Sequence, residues 1–301
     1  MTTYRNFHEG EARLQAQSGV DTAAFDLSVD QSFQPELNNS EVTFIGKRTF
    51  SVAASLDDQG RPWASPLVGA AGELFTVEDP STVRIRARRT DGDPLIDNIN
   101  ATADMGVLYF NPAIRRRAKS LGRGVVETDG SITYRMHRMF GLCPKYIFKR
   151  THDASPASEQ PAAAPPTTSD RLSEQDRQQL GQTDTIFLAS QSQQHGTDAT
   201  HRGGPPGFVT VINDSTLTVP DYIGNGMYQT LGNLLLDDRI GLLSIDFATG
   251  RIVQITGRGS ITDAEPNGVE TERALHIEIE NVKTSTADIG SWTDVEAYSV
   301  Q

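Results

Sequence analysis

Residues 195–208, HGTDATHRGGPPGF, place histidine and arginine inside a turn rich in glycine and proline. Glycine and proline are what a surface turn requires, but a turn has no need of His201 and Arg202 beside them. The backbone N–H groups of Gly203 and Gly204 are accessible because glycine has no Cβ, and they could join the arginine around an anion. The stretch is either an ordinary surface loop or a loop built around an anionic ligand, to which His201 would add a further hydrogen-bonding group.

A second motif follows in VPDYIGNGMYQTLGNLLLDDRIGLL, residues 219–243. It predicts a strand that ends at Pro220 and a helix that opens near Asn225, with Gly224 letting a ligand approach the backbone. The first N–H groups of a helix are unpaired and lie at the positive end of its dipole, which favours anions. Arg258, in the Gly-Arg-Gly of a later strand, could approach the same place. The alternative is a capped helix with solvated arginines, and spacing alone does not decide between them.

Charge limits the classes of partner. The chain of 301 residues has a net charge of −12, which argues against nucleic-acid binding through a basic surface. The charge is uneven: residues 151–301 hold 8 Lys and Arg against 21 Asp and Glu, while the first 150 residues are almost balanced. Each basic residue of the second half is therefore a candidate for a specific role. The basic run Arg115–Arg117 of the first half is interpreted as a solvated turn.

The remaining composition indicates a cytoplasmic protein. Cys143 is the only cysteine, so no intrachain disulfide can form, and it is expected to be a small buried side chain. The first residues are polar and lack the apolar core of a signal peptide, and no apolar run approaches the length of a membrane span. The six histidines show no metal-ligand spacing, so no metal site is expected.

The chain contains an internal repeat. LGRGVV at 121–126 and TGRGSI at 256–261 share Gly-Arg-Gly, and the same offset of 135 residues pairs Ser55 with Ser190 and Asn98 with Asn233. The Pro-, Ala- and Ser-rich residues 151–170 predict a flexible linker between two copies. We therefore expect four parts, which are an N-terminal barrel with an N-terminal helix (1–150), the linker (151–170), a C-terminal barrel with the main binding motifs (171–285) and a polar tail (286–301).

Each copy is predicted to be mainly β with short α-helices. About six strands and one short helix, made twice, indicate two small closed barrels. In the first copy RTDGDPLIDNINA replaces DYIGNGMYQTLGNLL, and Asp91 and Asp93 would repel a phosphate there. A surviving anion site is therefore expected in the second copy.

The motifs HRGGPPGF, PDYIGNGMYQTLGNLLLDDRIGLLSIDF and ITGRG, together with FHEGEARLQ near the N-terminus, resemble the FMN-binding split-barrel superfamily of pyridoxamine 5′-phosphate oxidase-like proteins. The similarity extends over nearly the whole chain and is strongest to its two-barrel, flavin-nucleotide-binding branch. It implies tandem six-stranded antiparallel Greek-key split β-barrels with FMN, or alternatively FAD, in the groove between two barrels. The chain would form that groove within itself, with a homodimer as the alternative.

The resemblance also implies where the cofactor binds. The strand leading into the helix would hold the FMN phosphate and ring edge, with the residues after the first motif beside it. The cofactor-binding residues expected in this way are His201, Arg202, Gly203, Gly204, Tyr222, Gly224, Asn225, Thr230, Leu231, Gly232, Asn233 and Arg258. No catalytic side chain is predicted, because a bound flavin carries its own redox chemistry.

The function predicted is a flavin-dependent oxidoreductase that acts on a small molecule with NAD(P)H as electron donor. The C-terminal residues STADIGSWTDVEAYSVQ contain Trp292 but no basic residue, unlike the phosphate-binding end of true pyridoxamine phosphate oxidases. Pyridoxamine phosphate is therefore not the expected substrate. Two alternatives are a non-catalytic flavin- or nucleotide-binding protein and a haem-handling protein on the same fold.

Overall fold

Each half of the chain forms one large antiparallel sheet, and a third sheet of two strands pairs one strand from each half. The computed structural model describes residues 6–30, 32–155, 165–264, 269 and 271–296. The helices of the first half are α1 (Glu9–Gln17), α2 (Thr22–Val29), α3 (Asn39–Gly46) and α4 (Leu95–Thr102). Its strands are β1 (Phe50–Leu56), β2 (Pro62–Val68), β3 (Phe75–Asp79), β4 (Thr82–Ile85), β5 (Asp104–Asn111), β6 (Arg116–Val126), β7 (Ile132–Leu142) and β8 (Lys149–Asp153).

The second half repeats this arrangement. Its strands are β9 (Thr167–Ser169), β10 (Thr185–Ser192), β11 (Gly196–Gly203), β12 (Thr210–Val211), β13 (Thr216–Tyr222), β14 (Arg239–Ile245), β15 (Arg251–Asp263), β16 (Thr271–Thr286) and β17 (Ser291–Glu296). Its helices are α5 (Glu174–Leu180) and α6 (Gln229–Leu234). Among the described residues, no helix has the length and apolar character needed to cross a membrane.

The two sheets share one strand order. The first runs β2-β1-β5-β6-β7-β4-β3 and the second β11-β10-β14-β15-β16-β13-β12. Hairpin neighbours such as β1 and β2 stay adjacent, while β4 and β13 return to pair with β7 and β16, as in a Greek key. A β-bulge interrupts β6 at Leu121/Gly122 and β15 at Thr256/Gly257, again 135 residues apart. The hydrogen bond from Asn98 Nδ2 to Ser55 Oγ is likewise repeated between Asn233 and Ser190. This confirms the predicted tandem of antiparallel barrels.

Each barrel has its own apolar core, and a third core joins them. Strand β1 is buried on both faces, since Ala53 points into the first barrel and Val52 and Ala54 into the joint core. This is why its sequence is a continuous run without polar alternation. The joint core takes residues at equivalent positions of both copies, which include Val52, Ala54, Ala64, Leu108, Phe187, Ala189, Ala199 and Leu243.

Close backbone contacts across this joint core are reciprocal. A Cβ on Gly106 would collide with the carbonyl of Thr197, and a Cβ on Gly241 would collide with that of Pro62. Gly241 is the repeat of Gly106, and Thr197 is the repeat of Pro62. A contact that recurs with its partners exchanged is the mark of a two-fold interface. The barrels therefore pair about an internal pseudo-two-fold axis.

The predicted linker and tail contain paired strands. Within 151–170, residues 151–153 belong to β8 and 167–169 to β9, while 156–164 lie outside the described residues. Within the predicted polar tail, β17 pairs with β8, and Trp292 stacks on His152 with ring centroids 4.2 Å apart. The sequence did not predict these strands, because the composition of the segments reports their average polarity. It does not reveal the contact of one large ring, that of Trp292, with His152.

The N-terminal helix packs on the second barrel, although we expected it to belong to the first. Gly10 of α1 and Gly232 of α6 meet where a Cβ on either would strike the other helix. Asn233 of α6 also accepts a hydrogen bond from His8 Nε2 at 2.7 Å. The FHEGE motif is therefore the docking surface for the helix that carries TLGN.

Gly232→Ala tests this helix contact. The added Cβ would lie 2.6 Å from the backbone nitrogen of Glu11, so α1 must shift. We expect the free energy of unfolding, measured by urea denaturation, to fall by about 1–3 kcal/mol. Gly46→Ala at the end of α3 is the control, since its Cβ would meet nothing within 4 Å and should leave stability unchanged or raised. Equal effects of the two substitutions would contradict the close helix contact.

Candidate anion-binding pocket

A cavity of about 110 Å³ lies between the two barrels, where β11 and the loop after β13 face β6 and the segment after β7. Seven of the predicted site residues line it, namely His201, Arg202, Gly203, Tyr222, Gly224, Asn225 and Thr230. The structure thus brings the two motifs together around one space. His201 and Arg202, predicted to lie in a loop, belong to the end of β11, which forms the second-barrel wall of the cavity together with the loop after β13.

Five predicted residues do not line the cavity. Gly204 packs against Phe208, and Leu231 is buried in the core of the second barrel. Gly232 and Asn233 are covered by α1. The exposed side chain of Arg258 bonds to Asp238 and Glu280 on the surface.

The helix in this motif also begins later than predicted. Helix α6 starts at Gln229 and has only six residues, and Tyr228 before it is in the left-handed conformation at φ 53° with no side-chain cap. Residues 223–228 instead form an irregular loop, in which Asn225 Oδ1 accepts the backbone N–H of Met227. The expected helix N-terminus near Asn225 is therefore wrong, and the wall of the cavity is a loop.

The cations of the cavity come mainly from the first barrel. Arg117 and Lys119 alternate along β6, so they share one face of the strand. Arg117 is 9% exposed, and among the described residues it forms no ion pair with a carboxylate. Its Nε donates to the carbonyl of Cys143 at 3.0 Å and its Nη1 to Nδ1 of His201 at 2.7 Å. Burial lowers the pKa of Arg117, yet a guanidinium keeps its proton in proteins, so a buried positive charge faces the cavity.

The predicted solvated turn comprises Arg115–Arg117. The outcome is different for its last member, because β6 begins at Arg116 and the strand carries Arg117 inward. The i, i+2 spacing of Arg117 and Lys119 was a signal that the two side chains share a face. What the spacing could not show is that this face is covered by the second barrel.

Lys119 lies deeper and is already neutralised. Its Nζ donates to Asp198 Oδ1 at 2.6 Å, and both side chains are almost fully buried. Arg202 is likewise paired, with Asp221 at 2.5 Å. Lys145, exposed at the rim, makes no ion pair among the described residues. The cavity therefore carries a net positive charge from Arg117 and Lys145.

His201 offers a hydrogen-bond donor beside these cations. Its ring stacks on Phe110, with centroids 5.0 Å apart, and its Nδ1 must accept because the Arg117 guanidinium can only donate. The proton of the neutral ring then sits on Nε2, which is buried and has no partner. Burial, followed by the charges of Arg117 and Arg202, lowers the pKa of His201 well below its usual range. His201 is thus a neutral donor that a ligand would satisfy.

The rim of the cavity is formed by contact between the two barrels. Lys145 Nζ and Tyr146 Oη both donate to the carbonyl of Ile223, at 3.4 and 3.0 Å. Tyr146 has a positive φ of 61°, as Tyr228 does on the opposite wall. Such a backbone costs about 1–3 kcal/mol for each bulky residue, and conformations of this kind cluster at binding sites.

The position that the pseudo-two-fold axis relates to this cavity is filled by protein side chains. At the repeat positions of Arg117 and Lys119 stand Ile252 and Gln254. Gln254 Nε2 donates to Asp93 Oδ2 at 2.8 Å, so the chain's own polar groups fill this position. This position lacks both cations and holds a carboxylate, so the cavity lined by Arg117 and Lys145 is the candidate anion site of the pair.

A buried group of His8, Glu11 and His195 resembles a metal site, since ligand atoms of all three lie within 4.8 Å of one another. Both nitrogens of His8 are already in use, however. Nδ1 accepts the backbone N–H groups of Gly10 and Glu11, and Nε2 donates to Asn233. Without a free lone pair on His8, the group caps and docks α1 and is not arranged to bind a metal ion.

Comparison with known proteins finds no match among protein-family models and none among curated proteins. The solved structures that match are pyridoxamine 5′-phosphate oxidase-like and flavin-binding split-barrel proteins. HupZ of Group A Streptococcus is 15% identical, with a TM-score of 0.30, and the match covers 35% of this chain and 94% of that one. An FAD-binding protein of Mycobacterium smegmatis is 10% identical, with a TM-score of 0.27 over 40% of this chain and 99% of that one. An F420 reductase is 13% identical, with a TM-score of 0.26, covering 40% and 98%.

Glu11→Gln tests the buried state of the α1 cap. Burial raises the pKa of Glu11 to about 8, so the folded state holds this proton more tightly than the unfolded chain does. The contribution of the protonated Glu11 carboxyl to the free energy of unfolding is complete at low pH and is lost as the pH rises from about 4.5 to 8. Glutamine keeps the capping interaction without a charge. In urea unfolding at pH 5, 7 and 9, the variant should gain stability relative to the wild type as pH rises, and a constant difference would contradict the raised pKa.

Arg117→Met tests the buried charge of the cavity. Loss of one charged hydrogen-bond donor should weaken binding of a phosphate-bearing ligand about 10- to 100-fold. The measurement is the rise in melting temperature with inorganic pyrophosphate, which should be large for the wild type and reduced for the variant. Arg123→Met, on the same strand but with an exposed side chain paired to Asp104, is the control. If both variants respond like the wild type, the anion binds elsewhere.

Proposed function

We propose that the protein is a flavin-binding oxidoreductase that holds FMN, or FAD as the alternative, in the cavity between its two barrels. The observation that carries the proposal is the buried Arg117 guanidinium, which lines a cavity and has no carboxylate partner among the described residues. A buried charge without a counterion is costly, so a protein retains it where a ligand supplies the opposite charge. The phosphate of a flavin nucleotide has the required chemistry.

The chemical groups of the cavity residues are of the types that this ligand requires. Arg117, Lys145 and Arg202 would hold the phosphate, and the unpartnered Nε2 proton of His201 would donate to a ligand oxygen or nitrogen. Thr230 adds a hydroxyl on the opposite wall. The volume of about 110 Å³ is below the roughly 300–1,000 Å³ of small-molecule sites, so a complete flavin requires the rim to open.

A bound flavin would supply hydride and electron transfer, and the protein would supply position and electrostatics. Cations beside the cavity would favour the anionic form of a reduced ring. His201 stays neutral, so its role is to donate a hydrogen bond and not to exchange protons at neutral pH. The electron donor proposed is NAD(P)H and the substrate a small molecule other than pyridoxamine phosphate. A cytoplasmic location remains part of this proposal.

Spectroscopy and anaerobic reduction test the proposal. The purified protein, or protein titrated with FMN, should show flavin absorbance at one equivalent per chain, because the pseudo-equivalent position is filled by Gln254. NADPH or NADH should bleach the flavin, and air should restore it. Retention of flavin with no reduction by either nucleotide would identify the non-catalytic binding protein instead.

Site variants separate this cavity from other locations. Arg202→Ala combined with Asn225→Ala should weaken flavin retention about tenfold or more, since two lining side chains are lost. Arg258→Ala, which alters an exposed arginine away from the cavity, should retain flavin as the wild type does. A folded wild type that binds neither FMN nor FAD would overturn the proposed function.

A further inference from the structure

The rim of the cavity is held by two hydrogen bonds that cross from one barrel to the other. Lys145 and Tyr146 follow β7 of the first barrel, and both donate to the carbonyl of Ile223 in the loop after β13. The Tyr146 ring also packs against Tyr222, with centroids 5.1 Å apart. We call the contact of Lys145 and Tyr146 with Ile223 the clasp.

The two sides of the clasp differ in how closely their backbone is packed against the rest of the protein. The carbonyl of Tyr146 lies against Gly203, where a Cβ would collide with it, so the first-barrel side is fixed on β11. On the other side Gly224 is exposed, and a Cβ there would meet only the carbonyl of Tyr222 at 3.9 Å. Gly226 adopts a positive φ of 75°. The far end of the loop is anchored, because the carbonyl of Met227 accepts from Gln15 Nε2 at 3.5 Å. The loop 223–227 can therefore move about that end, with Gly224 and Gly226 accommodating the change in backbone.

The cavity behind the clasp is smaller than a flavin requires, at about 110 Å³ against roughly 300 Å³. Entry of a ligand of that size must displace one wall. Strand β6 is central in its sheet, and the edge strand β11 is held by the close backbone contact of Gly203 with Tyr146. The loop 223–227 belongs to no strand or helix, so it is the wall that yields.

We propose that the clasp is a gate, in which release of Ile223 from Lys145 and Tyr146 lets the loop 223–227 swing away from the anion pocket and re-formation of the clasp closes it. The ligand that passes is the one of the proposed function, on which this inference rests. The opening itself is a property of the free protein. The first barrel thus controls access to a pocket whose loop belongs to the second.

The chain carries its own reporter of opening. Cys143 is the only cysteine and lines the same cavity, with Sγ 3.7 Å from Nη2 of Arg117. Cys143 is half-buried, so its rate of alkylation by iodoacetamide, followed by mass spectrometry without any flavin, is compared with that of the wild type and reports changes in access to the pocket. Alkylation of the thiol, which displaces iodide from the reagent, does not depend on whether the protein is an oxidoreductase.

Tyr146→Phe removes one donor of the clasp and keeps the ring packed on Tyr222. We expect alkylation of Cys143 to accelerate about three- to tenfold, the change that loss of one net hydrogen bond produces. Lys145→Met removes the other donor from an exposed side chain and should act in the same direction. Tyr109→Phe is the matched control, because it removes a buried hydroxyl bonded to Ser120 within the first barrel and should leave the rate unchanged.

The outcomes separate the gate from the proposed function. Wild-type alkylation rates in both Tyr146→Phe and Lys145→Met, with the fold intact by circular dichroism, would overturn the gate. Acceleration in these two variants and not in Tyr109→Phe would support it, even if no flavin binds. If FMN does bind, stopped-flow association and dissociation should both be faster in Tyr146→Phe, and a change in dissociation alone would also contradict a gate.

Discussion

The packing of the two barrels about their pseudo-two-fold axis is the constraint on which the rest of the structure depends. The joint core takes matching positions from each copy, and Gly106 and its repeat Gly241 admit a backbone from the opposite barrel. Strands of this region are buried on both faces, which leaves them no polar alternation. The same packing sets β6 of one barrel against β11 of the other, so the cavity exists only in the pair.

The uneven distribution of charge has a structural meaning in this pair. The second half is strongly acidic and by itself would repel an anion, and its Asp221 neutralises its own Arg202. The first half supplies Arg117, Lys119 and Lys145 to the cavity. An anion site in this chain is therefore a composite, with backbone and loop from the acidic barrel and most of the cations from the balanced one.

Duplication has left two related positions that have diverged in opposite directions. One keeps cations, the neutral donor His201 and a loop with two glycines. At the other, Gln254 and Asp93 bond to each other and fill the space. Helix α1 adds a further asymmetry, since it docks on α6 through Gly10 and Gly232 and so supports the barrel that holds the cavity. The two related positions of the pseudo-symmetric scaffold thus differ in charge, in space and in the helix that supports them.

The sequence by itself determined the repeat, the β-rich barrels and the second-barrel wall that includes His201 and Arg202, because offsets and strand patterns are local properties of the chain. Only the tertiary structure decided that Arg117 is buried, since its hydrogen-bond partner His201 lies 84 residues away along the chain. The sequence of an arginine run does not distinguish a buried arginine from a solvated one. It also decided that α1 covers the second barrel and that α6 begins only at Gln229. These features arise from packing between distant segments, which a pattern of nearby residues does not encode.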